Sequence, residues 1–375
     1  MGHRIKVMQI SSGLSTEGIG TFVLNTYENM NKENFDVSFA LATDWKQHHE
    51  QRIIDYGGKI YRTAEIGKGL PGIIKHFINL IKILKKEGPF DVVHSHMDFF
   101  NGINVLAAFI AGVPVRISHA HVSVTDQNTP LFKKLYNITM KLLISTFSSL
   151  KIGCSVEANQ YMNDLKWMEN KSKVIFNGID LNRFSGDKKH TKLKDNLKLD
   201  ADRINFITIG RIDPPKNPLF IVKIIKELKK IKSNIHLYWI GTGSLEKEVK
   251  QLVIQYELEG YISFLGTRDD VAEILSLMDF MLFPSKWEGL GIVLIEAQAS
   301  GIPCFISNTI PKEADLGLCT VLSLDEDAES WAKKINQYIN SKTYNNRIIS
   351  EHLKKYNIKN TTKEIESIYL KNFIL

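Results

Sequence analysis

The sequence predicts an α/β protein built from two doubly wound parallel sheets, on three observations. Short β-branched runs alternate with amphipathic stretches through the first half of the chain. A polar, lysine-rich interval at Asp187–Asp202 interrupts this alternation, which then restarts. A length of 375 residues exceeds one ordinary core and suits two domains of comparable size. The expected division is residues 1–186 and 187–357, with a C-terminal helix at 358–375 packing back on the first domain.

In the first half, Ile5–Ile10, Val37–Ala42, Val92–Ser95, Val115–Ser118 and Leu150–Cys154 read as buried strands. Thr21–Met30, Ile73–Lys86, Asn101–Ala111 and Leu131–Phe147 read as the helices between them. In the second half the strands are Ile204–Ile209, Ile235–Ile240, Ile262–Phe264, Met281–Phe283 and Pro303–Ile306. Leu219–Lys230, Leu245–Tyr256, Val271–Met278 and Leu290–Ser300 read as its helices, and Tyr344–Tyr356 and Thr362–Phe373 close the chain. Alternation of this kind implies parallel sheets, whose ligands bind at the carboxyl ends of the strands. Both halves are therefore expected to present their loops to a cleft between them.

Composition narrows the class. With 43% hydrophobic and 24% charged residues and no repeat, the chain is of globular type. Cys154, Cys304 and Cys319 are widely spaced in apolar surroundings, which favours buried reduced thiols over a metal or disulfide framework. Met1–Ile10 lacks a secretory pattern, and no uncharged apolar stretch reaches the ~20 residues that span a bilayer. These features lead us to expect a cytoplasmic protein. The formal charge of +7 is concentrated in the first half, where lysines from Lys75 to Lys141 outnumber the acids. Such a field suits phosphate-bearing ligands or an anionic membrane surface, or else is a solvated face. Nucleic acid is not expected, since neither interleaved aromatics nor a binding module appears.

Four motifs carry candidate chemistry. After the first strand, Gly18-x-Gly20 opens a helix and Asp44 closes the second strand, as in a dinucleotide fingerprint. Val23 stands where the third glycine belongs, however, so the glycines are explained either by a phosphate site or by the helix start alone. Gly210-Arg211-Ile212-Asp213-Pro214-Pro215-Lys216 places two cations around a stiff turn before a helix, a good diphosphate site. Gly266-Thr267-Arg268 repeats the strand-then-glycine pattern and is expected to line the same groove.

The most informative segment runs from Pro284 to Ala297. Glu296 lies in an apolar helix, where a carboxylate needs a partner. Glu288 stands at the expected helix start, where a first-turn acid is favourable in any case. A helix over the interval would hold the two carboxylates on the order of 12 Å apart. That is too far for a hydrolytic pair, which needs roughly 5–9.5 Å, but suits two ends of an extended ligand. His94, His96, His119 and His121 end adjacent strands. A metal site is not expected there, on the reading that only one histidine of each pair faces a given side. Asp325-Glu326-Asp327 spells a metal motif but reads as a solvated turn.

These residues resemble the retaining GT-B glycosyltransferases of the GT4 group over nearly the whole chain. The resemblance is strongest in the Glu-x7-Glu segment, with support from VIFNGID (which contains Asn177), GRIDPPKN and FLGTRDDV. DVVHSHM and HAH look like the subgroup that builds capsular and exopolysaccharides. The resemblance implies a GT-B fold of two Rossmann-like domains facing a central cleft, and retaining transfer from a nucleoside-diphosphate sugar, expected to be a UDP-sugar, without cofactor or metal. By it, Glu288 contacts the sugar hydroxyls, with backbone N–H groups of Gly289, Leu290, Gly291 and Ile292, and Glu296 holds the ribose. Arg211 and Lys216 neutralise the diphosphate, and Gly210 belongs to the same loop. Gly18 matches the first-loop glycine, and His121 the histidine near the donor sugar, with His119 as the alternative. Gly20 replaces the family's first-loop acid, which puts acceptor-side contacts in doubt. The implied acceptor is a glycan or lipid-diphosphate-linked sugar at the membrane's inner face. A nucleotide-sugar epimerase of the same architecture is the alternative; an oxidoreductase and a sugar-binding module are weaker readings.

Overall fold

The computed structural model describes residues 4–14, 18–122, 130–163, 172–184, 191–197, 199–200, 202–341 and 350–373. Residues 15–17 of the first loop, 187–190, 198 and 201 of the expected linker and 344–349 of the expected penultimate helix lie outside them.

Strands β1 (Ile5–Ser11), β2 (Phe35–Leu41), β3 (Lys59–Arg62), β4 (Val92–Ser95), β5 (Val115–Ala120), β6 (Leu150–Gly153) and β7 (Ser172–Val174) form one sheet. Its order is β3-β2-β1-β4-β5-β6-β7, parallel throughout. β8 (Ile204–Ile209), β9 (Ile235–Ile240), β10 (Ile262–Gly266), β11 (Phe280–Phe283), β12 (Cys304–Ser307) and β13 (Cys319–Leu322) form a second parallel sheet ordered β10-β9-β8-β11-β12-β13. In both sheets the first strand lies in the middle and the order reverses beside it, which marks the switch point of a doubly wound fold. Central strands such as β1 and β8 are buried on both faces, so they read as mostly apolar runs with few polar residues rather than as a strict alternation.

Contacts divide the chain into residues 1–179 with 355–375, and 180–354. The first unit stops at Ile179 rather than residue 186, for a physical reason. Ile179 N–H donates to Tyr356 O at 2.7 Å, and Ile358 N–H to Ile179 O at 2.9 Å, which ties Ile179 to the returning C-terminal segment. Helix Leu181–Phe184, immediately after, packs instead on helices Val271–Leu275 and Ile292–Ala299. The expected linker is not uniformly irregular either, since Thr191–Leu197 is helical.

Helix Ile358–Phe373 packs against helix Gly18–Asn29 and puts Ile365, Ile368 and Tyr369 into one core of the first sheet. The opposite core is closed by helices Leu70–Lys86 and Asn101–Ile110. On one face of the second sheet a large core gathers around Trp239, Phe305 and Trp331. Trp331 belongs to helix Ala328–Ser341, which the apolar pattern did not reveal. Asp327 caps that helix through Ser330 N–H at 2.9 Å, and Glu326 pairs with Lys334 at 2.6 Å, so the Asp325–Asp327 carboxylates have structural work.

Candidate active site

The second unit assembles its site from the loops after β8, β9, β10 and β11. Gly210 follows β8, and Arg211 and Asp213 come before the turn Pro214–Lys216. Asn217, in the left-handed region at φ 54°, turns the chain into helix Pro218–Ile231. Lys286 N–H donates to Pro215 O at 2.7 Å, which ties this turn to the loop after β11. Lys216 Nζ is then ion-paired with Glu288 Oε1 and lies 4.9 Å from the centre of the Phe283 ring. Both side chains are largely buried, so the pair is screened little by water. A small recess beside it is lined by Gly210, Arg211, Lys216, Phe283 and Ser285.

Arg211 is more exposed, with Nη1 3.4 Å from Asp213 Oδ2. Asp213 is itself fixed by Ser244, whose N–H and hydroxyl both donate at 2.7 Å. Those hydrogen bonds, with Arg211 nearby, hold the Asp213 carboxyl below its usual range. Gly241 is required where the β8 and β9 loops meet. Its φ is 128°, and a Cβ there would lie 2.1 Å from Gly210 O.

Helix Ile292–Ala299 begins four residues after Glu288, with Gly291 at φ 80° before it. The helix therefore does not cover the Glu288–Glu296 interval, and the straight-helix separation expected from sequence does not apply. Nor is Glu288 a first-turn acid: it sits in the loop, held by Lys216. Gly289, Leu290, Gly291 and Ile292 lead into the helix start, where backbone N–H groups lack intrahelical acceptors. Glu296 lies in the helix between buried Ile295 and Ala297. Burial pushes its carboxyl up to about 7, against a smaller opposing effect of Arg183. Because folding raises this group from about 4.5, its contribution is full below that value and is lost as pH rises through 7. Glu296→Gln should therefore flatten the fall in stability between those two pH values, as read by thermal unfolding across pH. An unchanged profile would contradict the raised carboxyl.

Arg268 makes a local two-point ion pair. Its Nε donates to Asp270 Oδ1 at 2.8 Å and its Nη2 to Oδ2 at 2.5 Å, so its charge is locally neutralised. Thr267 is exposed beside it.

The histidines belong to the first unit. Residues two apart in extended chain share a face, so His94 with His96 just past the end of β4, and His119 with His121 just past the end of β5, stack their rings together. This corrects the reading that placed only one of each pair on a side. Nitrogens of His94, His96 and His119 lie within 4.8 Å of one another. The hydrogen bonds fix a consistent set of tautomers. Gln9 Oε1 accepts from His96 Nε2 at 2.8 Å, leaving His96 Nδ1 to accept from His121 Nε2 at 3.0 Å. Gln9 Nε2 donates to the Tyr369 hydroxyl at 2.9 Å, which donates to His94 Nδ1 at 2.6 Å. His94 Nε2 then donates to His119 Nδ1 at 3.1 Å, and His119 Nε2 has no hydrogen-bond partner among the described residues.

Burial keeps all four rings neutral, with His94 and His121 pushed down to about 3. Asn177 Nδ2 approaches His121 Nδ1 at 3.4 Å, so both nitrogens of His121 have neighbours. Asp98 Oδ1 accepts from His121 N–H at 2.7 Å, which fixes the strand end. Phe22 packs edge-on against His119, one turn along the helix that Gly18 begins. Thus Gly210, Arg211, Lys216, Glu288 and Gly289–Ile292 gather in the second unit, while His119, His121 and Asn177 gather in the first. Gln9, Phe22 and Tyr369 were missed, because an internal strand, an apolar helix and a terminal helix give no local sign of a shared cluster.

The family 4 glycosyltransferase model matches residues 16–183, and the group 1 glycosyl transferase model residues 189–356. EpsF of Bacillus subtilis (strain 168), named as a glycosyltransferase, is 31% identical over 88% of this chain and 86% of its own length. The chain belongs to the GT4 glycosyltransferases. This glycosyltransferase is also 29% identical to the capsular polysaccharide biosynthesis glycosyltransferase CapH of Staphylococcus aureus, over 98% of this chain and 99% of that one. It is 27% identical to the Escherichia coli UDP-Gal:alpha-D-GlcNAc-diphosphoundecaprenol alpha-1,3-galactosyltransferase, over 81% and 80%. Among solved structures, Anabaena HepE in complex with UDP and glucose aligns with a TM-score of 0.79 at 17% identity, covering 98% of this chain and all of that one. The fold of the glycosyltransferase is accordingly GT-B. These relatives are glycosyltransferases, and the epimerase reading is set aside.

Proposed function

We propose that the chain transfers a sugar from a UDP-sugar to a lipid-diphosphate-linked acceptor in surface-polysaccharide assembly, with retention and without a metal ion. The observation that carries the reading is the Lys216–Glu288 pair beside Arg211. A diphosphate entering beside Lys216 exchanges one anionic partner for another and releases Glu288 toward the sugar hydroxyls. Arg211 supplies the second cation, and the two together stabilise the departing UDP. The N–H groups of Gly289–Ile292 and of the Gly18 helix start offer further donors, and Glu296 anchors the ribose. His121 takes the donor-sugar role through Nδ1, whose 3.4 Å approach to Asn177 is longer than a strong hydrogen bond.

No side chain is an evident nucleophile, which favours a route in which the leaving phosphate takes the acceptor proton while the protein positions both substrates. The polysaccharide setting and the lipid-linked acceptor follow the names of CapH and the E. coli relative. An acceptor of that kind places the enzyme at the cytoplasmic leaflet, and the lysine-rich helices Leu70–Lys86 and Leu131–Phe147 suit its anionic surface. A thermal-shift screen of nucleotides tests the donor assignment: UDP and UDP-sugars should raise the melting temperature in proportion to occupancy. Stabilisation by nicotinamide nucleotides alone would overturn it.

A further inference from the structure

We propose that Gln9, buried within β1, is a positioning residue that fixes the tautomer of His121, so that His121 Nδ1 can only accept a hydrogen bond from a hydroxyl of the transferred sugar. The proposal rests on the reading above for the role of His121, but not for the tautomer itself. A glutamine between Met8 and Ile10, both wholly buried, needs partners for both ends of its amide. Gln9 Nε2 donates to the Tyr369 hydroxyl at 2.9 Å, which leaves Oε1 facing His96 Nε2 at 2.8 Å. A carbonyl oxygen only accepts, so His96 carries a proton on Nε2. Burial keeps that ring neutral, and a neutral imidazole has one N–H. His96 Nδ1 is therefore a lone pair, and His121 Nε2, 3.0 Å away, must donate to it. His121 is neutral for the same reason, which leaves its own Nδ1 as a lone pair. The orientation of one amide in β1 is thus imposed on His121 two links away.

Asn177 supports the same polarity from the other end. Its Nδ2, not its oxygen, is turned toward His121 Nδ1, at 3.4 Å. Asn177 Oδ1 is buried and has no hydrogen-bond partner among the described residues. Two acceptors on neighbouring side chains suit a ligand group that donates. A sugar hydroxyl fits there, whereas a phosphate or carboxylate oxygen, which only accepts, does not. The chain also continues beyond Gln9. The Tyr369 hydroxyl donates to His94 Nδ1 at 2.6 Å, and His94 Nε2 to His119 Nδ1 at 3.1 Å, so all four rings carry the proton on Nε2. Turning the Gln9 amide over would reverse every link, put all four protons on Nδ1 and make His121 Nδ1 a hydrogen-bond donor.

The test is NMR of the full chain labelled on its histidine nitrogens, joined to calorimetric titration with UDP, UDP-glucose, UDP-galactose and UDP-N-acetylglucosamine. Wild type should show His94, His96, His119 and His121 protonated on Nε2. Gln9→Leu removes the acceptor from His96, whose proton should move to Nδ1 and drive the His121 proton to Nδ1 as well. Affinity for the best-bound UDP-sugar should then fall about tenfold, while affinity for UDP stays at the wild-type value. Tyr369→Phe takes the other partner from Gln9 but leaves Oε1 facing His96. It should lower the melting temperature, keep the His121 proton on Nε2 and hold UDP-sugar affinity within about twofold. The wild-type spectrum decides the polarity even if Gln9→Leu does not fold. A proton on His121 Nδ1 in wild type, or a Gln9→Leu variant with unchanged tautomers or unchanged UDP-sugar affinity, would overturn the proposal. So would a Tyr369→Phe variant that loses as much UDP-sugar affinity as Gln9→Leu, since lost packing would then account for both. A wild-type chain with the stated tautomers that binds neither UDP nor any UDP-sugar would sink the nucleotide-sugar reading alone.

Discussion

Lys216→Ala should lower turnover by about 10²–10³-fold while leaving a folded protein, the size of effect seen when one preorganised stabiliser of developing charge is removed. Lys216 is held in place by Glu288, by the face of Phe283 and by the Pro214–Pro215 turn, so its charge is preorganised. The substitution also takes a cation from a largely buried carboxylate, so a lower melting temperature is expected alongside the kinetic loss. The double variant Lys216→Ala, Glu288→Gln separates the two effects. It should recover stability without recovering turnover. Steady-state kinetics with calorimetric unfolding on the single and double variants would decide the matter, and near-normal turnover in the single variant would remove Lys216 from the diphosphate role.

Gly241→Val should be the most damaging change to the fold itself. The position has φ 128°, which a branched residue scarcely tolerates, and its Cβ would fall 2.1 Å from Gly210 O and 2.8 Å from Gly210 C. These are backbone atoms, which cannot turn aside as a side-chain tip would. Backbone strain and forced separation of the β8 and β9 loops together should cost roughly 3 kcal/mol or more. Because those loops carry Arg211 and Lys216, UDP binding should be lost with the stability. Chemical denaturation and UDP titration would measure both, and a variant as stable as wild type would show that the two loops do not meet as described.

The alternation of apolar runs made the architecture legible, because central parallel strands such as β1 and β8 are buried on both faces. β3, β7 and β13 escaped notice for the opposite reason. They are short edge or near-edge strands, and residues such as Lys59 and Lys173 face solvent, leaving no continuous apolar signal. In the site, the loop bearing Arg211 and Lys216 could be read from its residue types. Its link to Glu288 spans 72 positions and depends on how the loops after β8 and β11 meet. The start of the helix at Ile292 was hidden because Leu290 continues the apolar pattern through a residue that precedes Gly291. The histidine cluster was misjudged at the level of strand period. Its further members, Gln9 and Tyr369, lie 360 residues apart and meet only through the returning C-terminal helix.

Transfer itself tests the central claim most directly. The full chain would be incubated with a panel of UDP-sugars and an undecaprenyl-diphosphate-linked monosaccharide in the presence of EDTA, the lipid products weighed by mass spectrometry and the new glycosidic bond assigned by NMR. The account predicts a lipid product heavier by one sugar residue from at least one UDP-sugar, with UDP released in equal amount and the α-anomer of the donor kept. UDP-sugar that is isomerised, or left intact beside every such acceptor, would contradict it.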